Sequence, residues 1–354
     1  MYSMVLTVLT AFVIAYLLTP VMKNVGILVG AVDKPNERKV HHGLITRIGG
    51  VAIYAGFLLP SLFIQDMSRP VMGLLISGTL VMMLGLVDDL RGISPKIKLL
   101  GQIMAGLVLV HYGVEVQFIT NPLNGGIISL GYLSIPVTVF WVIGVTNAVN
   151  LIDGLDGLAA GVSAIAAITL AVVAWTQDQF AVVSLALFLG AGALGFLRYN
   201  FHPAQLFMGD CGSMFLGFNL GALAVMGLSK GATVISLFIP VIILGIPIMD
   251  TFFAIIRRFN NKKPIFQADK GHLHHCLLEM GLSHRQAVLV IYAITFLLGS
   301  SAVLLTMLTT AQSVFILIAI SIVTLVGANR IGIISGRKAV TGVSGSEAKH
   351  SIGG

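Results

Sequence analysis

The sequence predicts an all-α polytopic membrane protein of about eleven transmembrane helices, on three observations. Of its 354 residues, 56% are hydrophobic and 10% are charged, whereas a soluble domain carries roughly 25% charged residues. The apolar residues gather into runs near the ~20 residues that a spanning helix needs. The charged residues gather between those runs, nearly all on one side. Mean hydropathy is +0.97.

The runs fall at about 3–22, 48–65, 70–87, 97–114, 133–149, 157–175, 179–197, 212–228, 233–256, 287–307 and 312–332. No basic segment precedes the first, and it is long enough to span, so it reads as a retained helix and not a cleaved signal. The third is free of charge from Val71 to Val87 and ends on Asp88-Asp89. The fifth, sixth and eighth abut polar motifs. Between the fourth and fifth, Asn121 to Gly126 reads as a turn, in a short hairpin with Ile127 to Leu130. No repeat of fixed period is visible. Residues 1–335 read as a single transmembrane domain. The Ser/Gly/Lys-rich stretch 336–354 reads as a disordered tail. Cys211 and Cys276 are too few for a disulfide framework and read as reduced thiols.

Loops then alternate between two sides. Segments 23–47, 88–98, 150–156, 198–211, 257–286 and the tail from Asn329 hold 19 of the 21 Lys and Arg. The positive-inside rule makes that side cytoplasmic, with the N-terminus outside and the C-terminus inside. Eleven of the 14 acids and eight of the nine His fall there too; Asp66, Glu115, Asp178 and His111 do not. The net charge of +7 is therefore a topology signal, and nucleic acid is excluded as a partner.

Five constellations share the basic side. Asp88-Asp89 stands before Lys96 and Lys98. Carboxylates are costly at bilayer depth and mark function; neighbouring ones hold Mg²⁺ together with waters and substrate phosphates. A solvated helix cap is the plain alternative. In Asn147-x-x-Asn150-x-x-Asp153-Gly-Leu-Asp156-Gly157, polar groups recur every third residue. Gly154 and Gly157 allow an unwound segment. Oxygen ligands then converge near a helix end with backbone N–H groups, which suits a cation and a diphosphate. Gly209-Asp210-Cys211-Gly212-Ser213 opens a helix; alone it reads as an N-cap. His272-Leu273-His274-His275 follows Asp250 and Arg257-Arg258 and reads as protonatable donors to a phosphate or sugar hydroxyl. Zinc is the lesser reading there, because no Cys pattern accompanies the histidines. Asp33 to Gly50, with Lys39, His41 and His42, is either a phosphate loop or a topology cluster.

Together these motifs resemble the polyprenyl-phosphate N-acetylhexosamine-1-phosphate transferases, from Asp33 to about Arg285. His-Leu-His-His is close to the His-Ile-His-His of the bacterial UDP-GlcNAc:undecaprenyl-phosphate branch. The resemblance implies transfer of GlcNAc-1-phosphate from UDP-GlcNAc to undecaprenyl phosphate with Mg²⁺ or Mn²⁺. That would be the first membrane step of a teichoic acid, O-antigen or common antigen type polysaccharide. It implies catalytic roles for Asp88, Asp89, Asp153 and Asp156, and Asp210 with Asn150 at the metal. It implies substrate contacts from Lys98, Asn147, His272, His274, His275, Lys39 and Arg258. The bilayer is the other partner, and a homodimer is an open assembly. A CDP-alcohol phosphotransferase fails on its motif, since Gly157-Leu158 stands where Ala-Arg is required. An ion-coupled transporter is the alternative of a different class; it requires acids near the midplane and broken helices in related halves.

Overall fold

Helices occupy every apolar run that the sequence marks out. The computed structural model describes residues 2–33, 45–64, 66–120, 126–228, 238–262 and 271–331. The long helices are α1 (Tyr2–Leu28), α3 (Arg69–Arg91), α5 (Ser134–Ile152), α6 (Leu158–Trp175), α7 (Phe180–Asn200), α8 (Gly209–Leu228), α12 (His284–Leu305) and α13 (Thr310–Ile331). Shorter ones are α2 (Gly50–Ser61), α4 (Pro95–His111), α9 (Phe238–Ile243), α10 (Gly245–Asn260) and α11 (Leu273–Glu279). Eight described helices are long and apolar enough to cross a membrane. The protein is polytopic.

The other three expected spans are shorter than the sequence suggests, for identifiable reasons. Helix α2 has 12 residues and ends just past Pro60. Helix α4 has 17 and starts at Pro95, whose missing N–H costs nothing at a first helical position. The ninth run divides at Leu244, between α9 and α10. Pro247 sits in the first turn of α10, where proline is tolerated. Beyond it α10 is amphipathic, burying Ile246, Asp250, Phe253, Ala254 and Arg257 at helical spacing.

The long helices also reach further into their polar ends than hydropathy indicates. Helix α3 carries Asp88 and Asp89 within its last turn, and α5 continues through Asn147 and Asn150. Helix α8 begins at Gly209. Each of these polar residues has a partner there, which is the condition for keeping it inside.

Helix α8 is the hub. Its span is 89% buried, against 17% for α1 and 11% for α13. Helices α3 and α5 flank it, and α2 reaches it through Tyr54 and Phe57, whose rings meet Phe215 edge-on at centroid distances of 5.5 Å. Helix α7 packs on α1, α2 and α6. The outer faces stay apolar: Phe140, Phe315 and Val323 are 80%, 75% and 71% exposed. In water so many bared side chains would be a liability; against lipid they are at rest.

Two short pairs complete the fold. β1 (Val32–Asp33) pairs antiparallel with β2 (Ile45–Thr46). Residues 34–44, with Lys39, His41 and His42, lie outside the described residues, as does the tail 336–354. β3 (Phe118–Thr120) and β4 (Ile127–Ser129) form the expected hairpin. Helix α12 starts on a complete capping box between Ser283 and Gln286. Ser283→Ala should cost about 1 kcal/mol of stability, read as a lower thermal midpoint in detergent.

Candidate active site

The polar ends of α3, α4, α5, α8 and α10 converge at one end of the bundle. Asp66, Glu115 and Asp178 line a cavity of about 660 Å³ near the opposite helix ends, beside Met4, Pro60 and Val225. Among the described residues, these three acids and the carboxylates around Lys98 thus lie at opposite ends of the bundle.

Lys98 lies one turn into α4. Its ammonium bridges two carboxylates that are far apart in sequence, Asp88 Oδ2 at 2.6 Å and Asp210 Oδ2 at 2.5 Å. Asp88 accepts a further bond from the Ile93 backbone N–H at 2.7 Å, which closes the α3–α4 turn around it. Lys96 is exposed and makes no such bridge.

Asp89 faces the other way. Its two oxygens accept the backbone N–H groups of Asp210 and Cys211, at 2.8 and 2.9 Å. An α-helix begins with N–H groups that have no partner within the helix, and here a carboxylate from α3 supplies it. The positive end of the helix dipole favours the same charge. The chain enters α8 through Gly209 at φ +71°, where an added Cβ would lie 1.8 Å from the Arg47 carbonyl oxygen and 2.5 Å from Asp89 Oδ2. Only glycine fits there. Backbone bonds from Phe207 to Thr46, Gly49 to Phe207 and Gly50 to Met208 hold this entry against β2 and the start of α2.

The Asn-x-x-Asn-x-x-Asp string closes α5. Asn147 exchanges amide bonds with Gln102 of α4, Nδ2 to Oε1 at 2.8 Å. Asn150 Nδ2 donates to Ser213 Oγ at 2.8 Å, which leaves its carbonyl oxygen as the ligand-type atom. Asp153 is the C-cap of α5. Gly157, at φ +79°, turns the chain into α6. Its N–H is fixed by Asn200 Oδ1 at 3.0 Å, and Tyr292 donates to its carbonyl.

This end holds more negative charge than Lys98 neutralises. Burial, then the charges of Asp210, Asp89 and Asp156, push the Asp153 carboxyl up to about 8. A surplus of carboxylates favours a hard divalent cation. Carboxylates with the Asn150 amide oxygen are the kind of donors that could hold a hard divalent cation such as Mg²⁺ or Mn²⁺. The charge surplus also sets a pH response. The folded form keeps a proton on Asp153 that the unfolded chain releases above 3.8, so without cation stability falls as pH rises towards about 8. Thermal melts in chelator should show that slope, and Asp153→Asn should flatten it.

The histidine motif docks beside this end. Asp250 of α10 accepts His272 Nδ1 at 2.9 Å and the Leu273 N–H at 2.7 Å, which fixes the start of α11. His274 is 3% exposed and stacks on His272 with ring centroids 5.8 Å apart. It lies against Gly154, where an added Cβ would come within 2.5 Å of its Nε2. Burial, then the neighbouring His275, lowers the His274 pKa to about 4. At neutral pH it is an uncharged ring that can still donate one hydrogen bond and accept another. His275 is half-buried, and Arg258 is buried at the end of α10.

The family model of glycosyl transferase family 4 matches residues 71–228, from the start of α3 to the end of α8. A probable undecaprenyl-phosphate N-acetylglucosaminyl 1-phosphate transferase of Bacillus subtilis is 42% identical over 318 residues, covering 88% of each chain. The chain belongs to glycosyl transferase family 4. It is a membrane phosphoglycosyltransferase. Other relatives are a decaprenyl-phosphate N-acetylglucosaminephosphotransferase of Mycolicibacterium smegmatis, 35% identical over 80% of this chain and 77% of its own. An undecaprenyl-phosphate alpha-N-acetylglucosaminyl 1-phosphate transferase of Escherichia coli is 31% identical over 84% of both.

Within this family 4 chain the structure gives roles to residues to which the sequence assigned none. Gln102 and Ser213 hold the two asparagines in place. Gln102 is a lone amide inside an apolar run and 1% exposed, which is the signal that could have marked it. His202 donates or accepts at Asp156 Oδ2 through Nδ1, at 2.7 Å, and the Ala204 N–H reaches the same oxygen at 3.1 Å.

Proposed function

We propose that the protein transfers GlcNAc-1-phosphate from UDP-GlcNAc to undecaprenyl phosphate, giving GlcNAc-diphospho-undecaprenol and UMP. The observation that carries the reading is Lys98 held between Asp88 and Asp210 where three helix ends meet. Two phosphate-bearing substrates must approach each other there, so positive charge and positioning are what the site has to supply.

A lipid phosphate oxygen attacks the β-phosphorus of UDP-GlcNAc, and the bond from that phosphorus to the bridging oxygen breaks, releasing UMP. A phosphate monoester has its second pKa near 6, so the nucleophile is already ionised at neutral pH. Asp88 therefore orients the acceptor through Lys98 and needs no proton of its own. Mg²⁺ or Mn²⁺, bound by Asp210 and Asn150, would neutralise charge on the diphosphate. Asp89 is a positioning residue: it holds the α8 N-terminus and with it Asp210. Asp153 and Asp156 shape the nucleotide and metal side. Lys98 would contact a substrate phosphate. Asn147, His272, neutral His274 and His275, with Arg258 and Lys39, line the donor side.

The same reading treats residues 1–335 as one catalytic domain with eleven crossings, the N-terminus outside and the active face cytoplasmic. Positive-inside asymmetry supports that orientation. The product would open a cell-envelope polysaccharide of teichoic acid, O-antigen or common antigen type. An ion-coupled transporter is disfavoured by acids at the bundle ends. A panel of UDP-N-acetylhexosamines should single out UDP-GlcNAc by UMP release in detergent; faster turnover of another sugar would overturn the choice of donor. UMP release without acceptor would overturn direct attack in favour of a covalent aspartyl step.

A further inference from the structure

We infer that Asp156, His202 and His284 form a second metal site, for a transition-metal cation of the Zn²⁺ type, apart from the hard-cation site at Asp210. The three residues come from three separate segments: the α5–α6 connection, the α7–α8 connection and the first turn of α12. One ligand atom from each, two imidazole nitrogens and a carboxylate oxygen, lie within 4.8 Å of one another. That spacing lets small side-chain rotations bring all three to the ~2.0–2.2 Å that Zn²⁺ requires.

A second observation points to a ligand. His284 Nε2 is buried and has no hydrogen-bond partner among the described residues. Such groups call for an explanation, because an orphaned buried nitrogen costs free energy that a water or an ion would recover. Its ring stacks on His202 at a centroid distance of 4.1 Å and 17° between planes. The fold thus brings two imidazoles side by side next to a carboxylate. Arg285 donates through Nε to the His202 carbonyl at 3.1 Å.

The donor set decides the class of metal. Mg²⁺ takes oxygen ligands and keeps its waters. Two imidazoles and a carboxylate suit Zn²⁺ and its neighbours, and three protein ligands leave a fourth position open. A metal here would tie the Asp156 segment to the α7–α8 connection and to α12. It would fix the Asp-Gly-Leu-Asp-Gly turn. The inference does not depend on which sugar donor the protein uses.

The test uses the full chain in detergent with any polyhistidine tag removed. Chelator-treated protein is loaded with Zn²⁺, desalted and assayed for metal. One equivalent should remain bound in the wild type. His202→Ala and His284→Ala should each weaken binding by more than about tenfold, since loss of even an outer partner has that effect. Asp210→Asn should retain the equivalent. No stoichiometric Zn²⁺ in the wild type, or undiminished binding in both histidine variants, would overturn the site, as would its loss in Asp210→Asn. Co²⁺ bound to wild type keeps the test valid should the variants misfold. Visible absorption of a four- or five-coordinate imidazole complex is expected, and an octahedral aquo spectrum would contradict the proposal.

Discussion

Asp210→Asn should lower turnover by at least about 10³-fold while leaving expression and melting behaviour close to wild type. The carboxylate reaches Lys98 at 2.5 Å and stands at the N-terminus of α8, beside the amide of the Asn150–Ser213 pair. The amide keeps the shape and removes the charge. The fold does not need that charge, because Asp89 supplies the anion at the helix N-terminus. Initial rates of UMP release over a range of Mg²⁺ and Mn²⁺ concentrations measure the effect. A rate within tenfold of wild type would remove Asp210 from the metal site. The paired variant Asp89→Asn should behave differently: it weakens two charge-assisted bonds to α8, so its loss of rate should come with a lower melting temperature.

Gly209→Ala should destabilise the protein by at least about 2 kcal/mol and abolish activity with it. The backbone there is left-handed, and the new methyl would meet the Arg47 carbonyl oxygen at 1.8 Å. A carbonyl held between β2 and α2 cannot move far: the Arg47 N–H is itself bonded to Ala31 O at 3.0 Å. The start of α8 must shift instead, and the hub of the bundle shifts with it. Thermal unfolding in detergent, read beside UMP release, should show both losses. A variant with wild-type melting would mean that the α8 entry is not held as described.

Much of this was legible in the sequence because the chain is extreme. With so few charges, each acid near an apolar run stood out, and Asp88, Asp153, Asp156 and Asp210 were all marked before any geometry. Hydropathy placed a helix in every run. What it missed was where helices stop, because window hydropathy penalises a polar residue that tertiary partners satisfy. Asp89 and Asn150 are helical for that reason. The division at Leu244 was hidden because Gly245 and Pro247 carry no charge and the flanking residues keep the run's average apolar.

Roles within the motifs were harder to read than positions. Asp88 and Asp89 are neighbours in sequence, yet one pairs with Lys98 and the other caps α8, because successive residues on a helix point about 100° apart. Nothing in a one-dimensional string separates them. His202 and His284 were overlooked because each stands alone in its segment. Their closeness to Asp156 depends on three connections folding to one place, which only the packing of α7 and α12 beside α6 determines.

The most direct measurement follows lipid product and UMP together. Purified full-length protein in detergent receives UDP-GlcNAc, undecaprenyl phosphate and Mg²⁺, and mass spectrometry counts both products. Equal amounts of UMP and GlcNAc-diphospho-undecaprenol, both abolished by chelator and by Asp210→Asn, are predicted. No product from any UDP-N-acetylhexosamine, or a lipid product carrying a single phosphate, would contradict the account.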